Sequence, residues 1–213
     1  MRKSFVSLLF GFILMNCFAQ YGYKDSNRIG ISAGVNQYCL LTKNFDIKPE
    51  LGWNGGLSVR GNFYNDWDMV YSMQFSENNF SVATQKAFSL NEDVKLKFSS
   101  VQISLLGSYK FIENHLSVDF GPTFQLNGKL KSEYSKENNI VSGTTLSVKE
   151  IGNISRFNFY PTIGITAGER HFRANISYQY GLVNVLAPLN SDNPGKNFKG
   201  NSSILNGNII FYF

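Results

Sequence analysis

The chain has 213 residues, a formal net charge of +5, two cysteines and two histidines. This length suits one domain, the charge is too small to indicate nucleic-acid binding, and a zinc centre is not expected from so few cysteine and histidine side chains. Aromatic residues make up 15% of the chain, with 19 Phe, 11 Tyr and 19 Gly, which is typical of exported β proteins with aromatic girdles.

The first residues have the pattern of an export signal. Arg2 and Lys3 precede the apolar run Phe5–Met15, which is too short to cross a bilayer as a helix. Ala19, with the small residue Cys17 two positions before it, fits a cleavage site. We therefore predict a signal peptide that ends at Ala19.

This prediction divides the chain into a signal peptide, residues 1–19, and one β-barrel domain, residues 20–213. A lipoprotein signal is the alternative, in which Cys17 would carry the lipid, although Asn16 stands where such signals have Gly, Ala or Ser. After cleavage Cys39 is the only cysteine, so an internal disulfide is excluded.

Alternation of apolar and polar residues dominates the rest of the chain. A period of two residues over many segments predicts β-strands with two unlike faces. The eight predicted strands contain, in chain order, Ile29–Val35, Leu57–Phe63, Trp67–Phe75, Val101–Tyr109, Leu116–Phe124, Phe157–Ile165, Phe172–Tyr180 and Leu205–Phe213.

Two prolines fall inside these strands. Because proline cannot donate a hydrogen bond to the sheet, we expect a bulge or a strand boundary at Pro122 and at Pro161.

Short and long connections alternate along the chain. Tight turns are predicted at "NDW", "IENH" and "GERH". The long links are approximately Cys39–Gly52, Asn79–Lys95, Asn127–Arg156 and Val183–Ser202. In an up-and-down barrel all long loops then emerge at one end, as the extracellular loops of outer-membrane barrels do.

The volume of the side chains indicates which face points inward. The interior of an eight-stranded barrel is only just wide enough for side chains to fill it. The apolar rows contain many bulky aromatic and Met side chains, whereas the polar rows are mainly Gly, Ser, Thr, Asn and Gln. We therefore predict an all-β, eight-stranded antiparallel transmembrane barrel with its aromatic face toward lipid, and an inside-out soluble barrel is the alternative.

Three segments, "NRIGISAGVN", "GWNGGLSVRGNFYNDW" and "YQYGLVNVL", resemble the small outer-membrane β-barrel proteins of Bacteroidetes, the porin-like or PorT-like group. The ending "NIIFYF" is similar to the C-terminal signal that the outer-membrane insertion machinery reads. The resemblance implies an outer-membrane location and, for some members, a part in protein secretion. It assigns no functional residues.

Five charged residues share the inward parity: Arg60, Asp68, Lys110, Asp119 and Arg173. An isolated buried charge is very costly, so these side chains should be paired or hydrated. We predict a network that braces the strands and fills the lumen. A polar path for a small solute is the alternative.

The sequence "NHLS" suggests a possible enzyme. His115, Ser117 and Asp119 share the inward strand parity, so they are expected to point into the lumen and could supply a base, a nucleophile and an orienting group. The His-x-Ser element also resembles that of eight-stranded lipid A deacylases. However, His115 falls beside a short turn, away from the outer leaflet, and residues two apart are spread along a strand.

Lysines are frequent in and beside the long links, among them the nine residues Lys86, Lys95, Lys97, Lys129, Lys131, Lys136, Lys149, Lys196 and Lys199. They either keep the loops solvated or contact lipopolysaccharide phosphates. Residues 127–156 form the longest loop, where we expect any extracellular partner to bind.

The resulting interpretation is a non-catalytic outer-membrane barrel with a structural, adhesive or accessory role. A narrow porin, a secretion accessory and a lipid A-modifying enzyme are the alternatives. We expect no cofactor, no metal and no nucleic acid. The expected partners are outer-membrane lipid and lipopolysaccharide, the insertion machinery and an unidentified extracellular or envelope protein.

Overall fold

The computed structural model describes residues 27–85, 91–113, 115–132, 134–193 and 195–213. The predicted signal peptide lies outside these residues. Within them the strands and the helix are β1 Arg28–Thr42, β2 Ile47–Tyr64, β3 Trp67–Gln85, β4 Asn91–Ile112, β5 Leu116–Asn127, β6 Lys131–Ser132, β7 Ile140–Val141, β8 Phe157–Gly168, β9 Phe172–Tyr180, α1 Ala187–Asp192 and β10 Gly200–Tyr212. No helix in the described ranges has the length and apolar character needed to cross a membrane.

Eight strands close into a barrel. β1 to β5, β8, β9 and β10 follow one another around the sheet, and β10 closes the ring on β1 in an antiparallel register from Gly30↔Tyr212 to Thr42↔Gly200. Among these eight, strands that follow one another along the chain are neighbours in the ring, while the short β6 and β7 pair with β4 and β3. This confirms the predicted eight-stranded up-and-down barrel.

The three predicted tight turns lie at one end of the barrel, between β2 and β3, β4 and β5, and β8 and β9. The first is a two-residue turn, Asn65-Asp66, in which Asn65 has φ 46°. Asparagine tolerates this left-handed conformation better than most side chains do.

The prediction of a long loop is wrong for two of the four links. The links Cys39–Gly52 and Asn79–Lys95 were expected to leave the sheet. Instead, β1 and β2 leave only residues 43–46 between them, and β3 stays paired with β4 up to Gln85↔Asn91. Backbone pairing continues beyond the apolar outer band because the inner face of these extensions buries apolar side chains, as described below.

The faces have the predicted polarity in the half of the barrel with the short turns. Ile31 and Ile163 point outward with 53% and 58% of their surface exposed, whereas the inward Ser32 and Thr162 are buried. On β4 the outward apolar row runs over residues 101–111, which matches the ~9–11 residues of a tilted membrane strand. The barrel thus carries a continuous apolar belt on its outer surface.

The prediction of a bulge or strand end at each proline is wrong. Pro122 and Pro161 are direct cross-strand partners, and the β5–β8 register runs unbroken through them. Proline has no backbone N–H to donate, and each strand loses pairing on its other edge instead. Between β4 and β5 the pairing is interrupted opposite Pro122, from Ser104↔Thr123 to Gly107↔Phe120. Between β8 and β9 the pairing begins only at Thr162, directly after Pro161.

Candidate functional site

A network of buried charges occupies the lumen near the short turns. Arg60 Nη1 donates to Asp68 Oδ2 at 3.0 Å and to Ser108 Oγ at 2.9 Å. Arg60 Nη2 lies 3.7 Å from Asp119 Oδ1, and Lys110 Nζ lies 3.3 Å from Asp68 Oδ1. All five side chains are buried. Each carboxylate therefore faces a cation inside the barrel, which offsets the cost of taking these charges out of water.

Asp119 extends the network to the other side of the barrel. Its carboxylate accepts hydrogen bonds from Ser117 Oγ at 3.4 Å, from Thr166 Oγ1, and from Asn175 Nδ2 at 3.2 Å. Together with the pairs around Arg60, these contacts join six strands, β2 to β5, β8 and β9. The network thus braces the barrel across its lumen, as the sequence predicted.

Two further arginines lie at the end of the lumen. Arg173, which was predicted to point inward, is buried and its Nε donates to the carbonyl of Glu169 at 3.2 Å. Arg28 was not predicted, although it has the inward parity of β1. It is also buried, and its Nη1 donates to the carbonyl of Arg170 at 2.9 Å. Both arginines therefore tie the β8–β9 turn to the barrel.

Uncharged polar side chains fill the next layer of the lumen. Gln102 donates to Gln125 at 2.6 Å and to Gln179 at 3.1 Å. Thr123 lies 2.8 Å from both Ser104 and Thr162 in hydrogen-bonding contact. The space left between this layer and the charges is a cavity of about 40 Å³, enough for a few water molecules but not for a continuous channel.

Above this layer the lumen becomes apolar. The buried cluster there, which we call the cap core, combines inward side chains of the strand extensions with side chains of residues 43–46, 128–156 and 181–199. Its members are Tyr38, Leu40, Phe45, Phe80, Val82, Val94, Leu96, Phe98, Val141, Leu146, Val148, Ile151, Ile154, Tyr160, Val185, Leu186, Leu189, Phe198 and Ile204. The mouth of the barrel is thus sealed by a hydrophobic core.

The two longest connections hold this cap together through backbone contacts. Ser142 N donates to the carbonyl of Ala83 at 2.9 Å, which fixes the first connection to β3. Ser155 N donates to the carbonyl of Val185 at 2.8 Å, which joins the two connections. The loop predicted over Asn127–Arg156 therefore has the predicted bounds, but it is a packed part of the fold rather than a solvated excursion.

A closed eight-stranded ring with an apolar outer belt and a filled polar lumen is the architecture of an outer-membrane barrel. A model of the outer membrane protein β-barrel domain family matches residues 18–187. The chain belongs to this family. The protein is accordingly an outer-membrane β-barrel protein, and its aromatic rows face lipid.

Solved structures of other outer-membrane barrels resemble this outer-membrane protein only distantly. Neisserial surface protein A (NspA) is 13% identical with a TM-score of 0.49, covering 89% of this chain and 100% of that chain. Ail, the attachment invasion locus protein of Yersinia pestis, solved with the heparin analogue sucrose octasulfate, is 14% identical with a TM-score of 0.48, covering 89% and 100%. OprG from Pseudomonas aeruginosa is 10% identical with a TM-score of 0.47, covering 90% and 98%. No curated protein matches the chain.

The possible catalytic group of this outer-membrane protein is only partly assembled. Ser117 is fully buried and its Oγ is bonded to Asp119. His115 is exposed in the β4–β5 turn, so the prediction that it points into the lumen is wrong. His115 precedes the first residue of β5, and its backbone N–H donates to the carbonyl of Ile112 at 3.0 Å, so it does not follow the alternation of the strand. His115 therefore does not lie beside the Ser117 hydroxyl as a base would.

Metal-binding and redox groups are sparse in the described residues. No group of three or more His, Cys, Asp or Glu side chains lies close enough there to hold a metal ion. Cys39, the cysteine within these residues, is a half-buried free thiol on β1.

Sequence reasoning missed the cap core, although a signal for it was present. In "VKLKF" and "NFSVATQ" apolar residues alternate with polar ones, so that Phe80, Val82, Val94, Leu96 and Phe98 share one face. This face is the continuation of the polar inward row of the same strands. A change from polar to apolar residues on the same face of a strand therefore marks where the polar layers of the lumen end and the apolar cap core begins.

The packing of the cap can be tested by local proteolysis. Ile151 is buried in the cap core, and its replacement by Val should cost ~0.5–1.5 kcal/mol of local stability. We expect trypsin to cleave the cap several-fold faster in Ile151→Val, with no change in the barrel's resistance to detergent unfolding. Ile140→Val is the matched control, because Ile140 is 41% exposed in the same connection. Equal cleavage rates for the two variants would show that residues 128–156 are not packed as described.

Proposed function

We propose that this outer-membrane protein is a sealed, non-catalytic barrel whose working surface is its extracellular cap, in a structural, adhesive or accessory role. The observation that carries the proposal is the filled lumen. A charged network, a layer of hydrogen-bonded amides and hydroxyls, and the cap core follow one another along its axis. Outer-membrane barrels have short periplasmic turns and long extracellular loops, so we expect the cap to lie outside the cell.

The alternatives account less well for these contacts. A narrow porin needs a continuous water path, whereas the lumen cavity is about 40 Å³. A secretion accessory remains compatible with a sealed barrel, because it would act through the cap or the rim. Origin from Bacteroidetes, the signal peptide and recognition of the last strand by the insertion machinery are further parts of this proposal, supported by the sequence patterns alone.

Conductance tests the sealed barrel. The full chain, refolded into a planar lipid bilayer, should give no stepwise ion current. A variant in which residues 144–149 are replaced by a Gly-Ser linker should behave in the same way, because the side chains below the cap still fill the lumen. A wide porin measured in parallel shows that the bilayer reports channels. Reproducible current steps from the full chain would overturn the proposal in favour of a narrow porin.

Lipid analysis tests the absence of catalysis. Cells that express the full chain and cells that express Ser117→Ala should contain lipid A of identical mass. A mass difference equal to an acyl chain, present with Ser117 and absent with Ala, would establish the enzyme instead.

A further inference from the structure

A basic depression lies at the rim of the barrel, where β5 ends and β8 begins. Lys129, Lys149 and Arg156 line it, together with Asn127 and Asn153, and all three cations are exposed. Its volume is about 710 Å³, which is large enough for a sugar-phosphate group rather than a single ion.

The three cations have no carboxylate partner within the described residues. No ion pair shorter than 4.0 Å involves them there. Two acidic side chains adjoin the lining residues, and both accept hydrogen bonds from uncharged groups. Glu150, next to Lys149 in the chain, accepts from the backbone N–H and hydroxyl of Ser147, and Asp192 accepts from Asn153 Nδ2 at 2.7 Å. Three like charges around one depression repel one another, and an anion with several oxygens would relieve that repulsion.

The depression has a defined height relative to the membrane. Arg156 directly precedes Phe157, and Asn127 directly follows Leu126, both of which are exposed on the apolar belt. The backbones of the two positions are joined, because Asn127 N donates to the carbonyl of Arg156 at 2.7 Å. The polar layer of a bilayer is ~5–8 Å thick on each side. The cations therefore lie where the headgroups of the outer leaflet begin.

We propose that Lys129, Lys149 and Arg156 form a binding site for the phosphorylated sugar headgroup of a glycolipid in the outer leaflet. The guanidinium of Arg156 supplies paired donors for a phosphate, and the two ammonium groups supply mobile point charges on either side. The acyl chains of such a lipid would lie along Leu126 and Phe157, which continue the site downward as an apolar surface.

A second observation on the same rim agrees with this assignment. Lys97 on β4 and Lys131 on β6 are direct cross-strand partners, and they line a neighbouring cleft with Lys95 and Glu77. Like charges directly opposite one another destabilise a sheet unless an anion screens them. The rim beside the depression therefore carries two further exposed cations, Lys97 and Lys131.

Binding of purified lipid tests the site. The full chain is refolded in detergent, and its affinity for bis-phosphorylated lipid A and for enzymatically dephosphorylated lipid A is measured. We expect the phosphorylated form to bind at least tenfold more tightly, and Lys129→Gln/Lys149→Gln/Arg156→Gln to lose about tenfold or more of that affinity. The charge-preserving variant Lys129→Arg/Lys149→Arg, which keeps the guanidinium of Arg156, should retain binding within about threefold.

The matched control removes three charges elsewhere on the extracellular side. Lys43→Gln/Lys196→Gln/Lys199→Gln should bind phosphorylated lipid A as the full chain does. Equal losses in the two triple variants would mean diffuse attraction and would overturn the site. Equal binding of both lipid forms would overturn phosphate recognition, and full competition by inorganic pyrophosphate at the same concentration would assign a soluble anion instead of a lipid. The ion-current measurement is independent of all of these outcomes.

Discussion

Asp68→Asn should lower the free energy of unfolding of the barrel by ~3–5 kcal/mol, because it removes the carboxylate shared by two buried cations. Asp68 contacts Arg60 at 3.0 Å and Lys110 at 3.3 Å. Asn keeps the shape of the side chain but has no charge to offset theirs. Arg60 retains Asp119 at 3.7 Å, whereas Lys110 has no other ion pair among the described residues. The ammonium of Lys110 therefore accounts for most of the expected loss.

Equilibrium unfolding in urea, followed by tryptophan fluorescence in lipid vesicles, measures this loss. Asp66→Asn is the matched control, because Asp66 is exposed in the turn two residues away, and its change should stay within ~0.5 kcal/mol. Adding Lys110→Met to Asp68→Asn should restore part of the stability, since the uncompensated cation is then gone. A double variant no more stable than Asp68→Asn alone would contradict the assignment of the loss to Lys110.

The half of the barrel with the polar lumen was predictable because the direction of each side chain follows from its position in the strand. A period of two residues assigns the faces, and the limited volume of an eight-stranded lumen excludes the aromatic rows from it. Arg60, Asp68, Lys110, Asp119 and Arg173 all lie in the lumen as predicted. Their partners across the lumen were not predictable, since Arg60 reaches Asp119 from a strand far along the chain.

The half of the barrel near the cap was less predictable, because its polar outward residues fit a loop as well as a strand. Polar outward residues such as Lys95 and Lys97 were interpreted as loop, although the alternate inward residues Val94, Leu96 and Phe98 hold the segment in the sheet. Strand pairing outside the membrane has the alternation of a soluble sheet, polar outside and apolar inside. The same continuous strands are therefore apolar outside within the lipid and apolar inside beyond it, and the change lies at the lipid boundary.

The basic depression was only partly visible in the sequence. Lys129 and Lys149 were two of nine loop lysines, and nothing in the pattern separated them from the others. Arg156 was counted only as the end of a loop. The three side chains come together only through the fold of residues 128–156, which places Lys129 and Lys149 beside Arg156.

Ile163→Arg should destabilise the barrel in lipid vesicles by ~2–4 kcal/mol, because its side chain lies near the middle of the lipid-facing row of β8. Ile163 is 58% exposed, and its cross-strand partners are Phe120 on β5 and Tyr178 on β9. In a soluble protein an arginine at such an exposed position would be almost neutral. In lipid the guanidinium must reach the headgroups or carry water into the hydrocarbon, and both cost free energy.

Ile140→Arg is the matched control for this substitution. Ile140 is 41% exposed, but it lies in the cap on β7, beyond the apolar belt. We expect its unfolding free energy in vesicles to change by less than ~0.5 kcal/mol. Unfolding both variants in urea at the same lipid-to-protein ratio compares a charge in lipid with the same charge in water. Equal small effects would mean that Ile163 faces water, so that the apolar belt would have to be covered by protein rather than by a membrane.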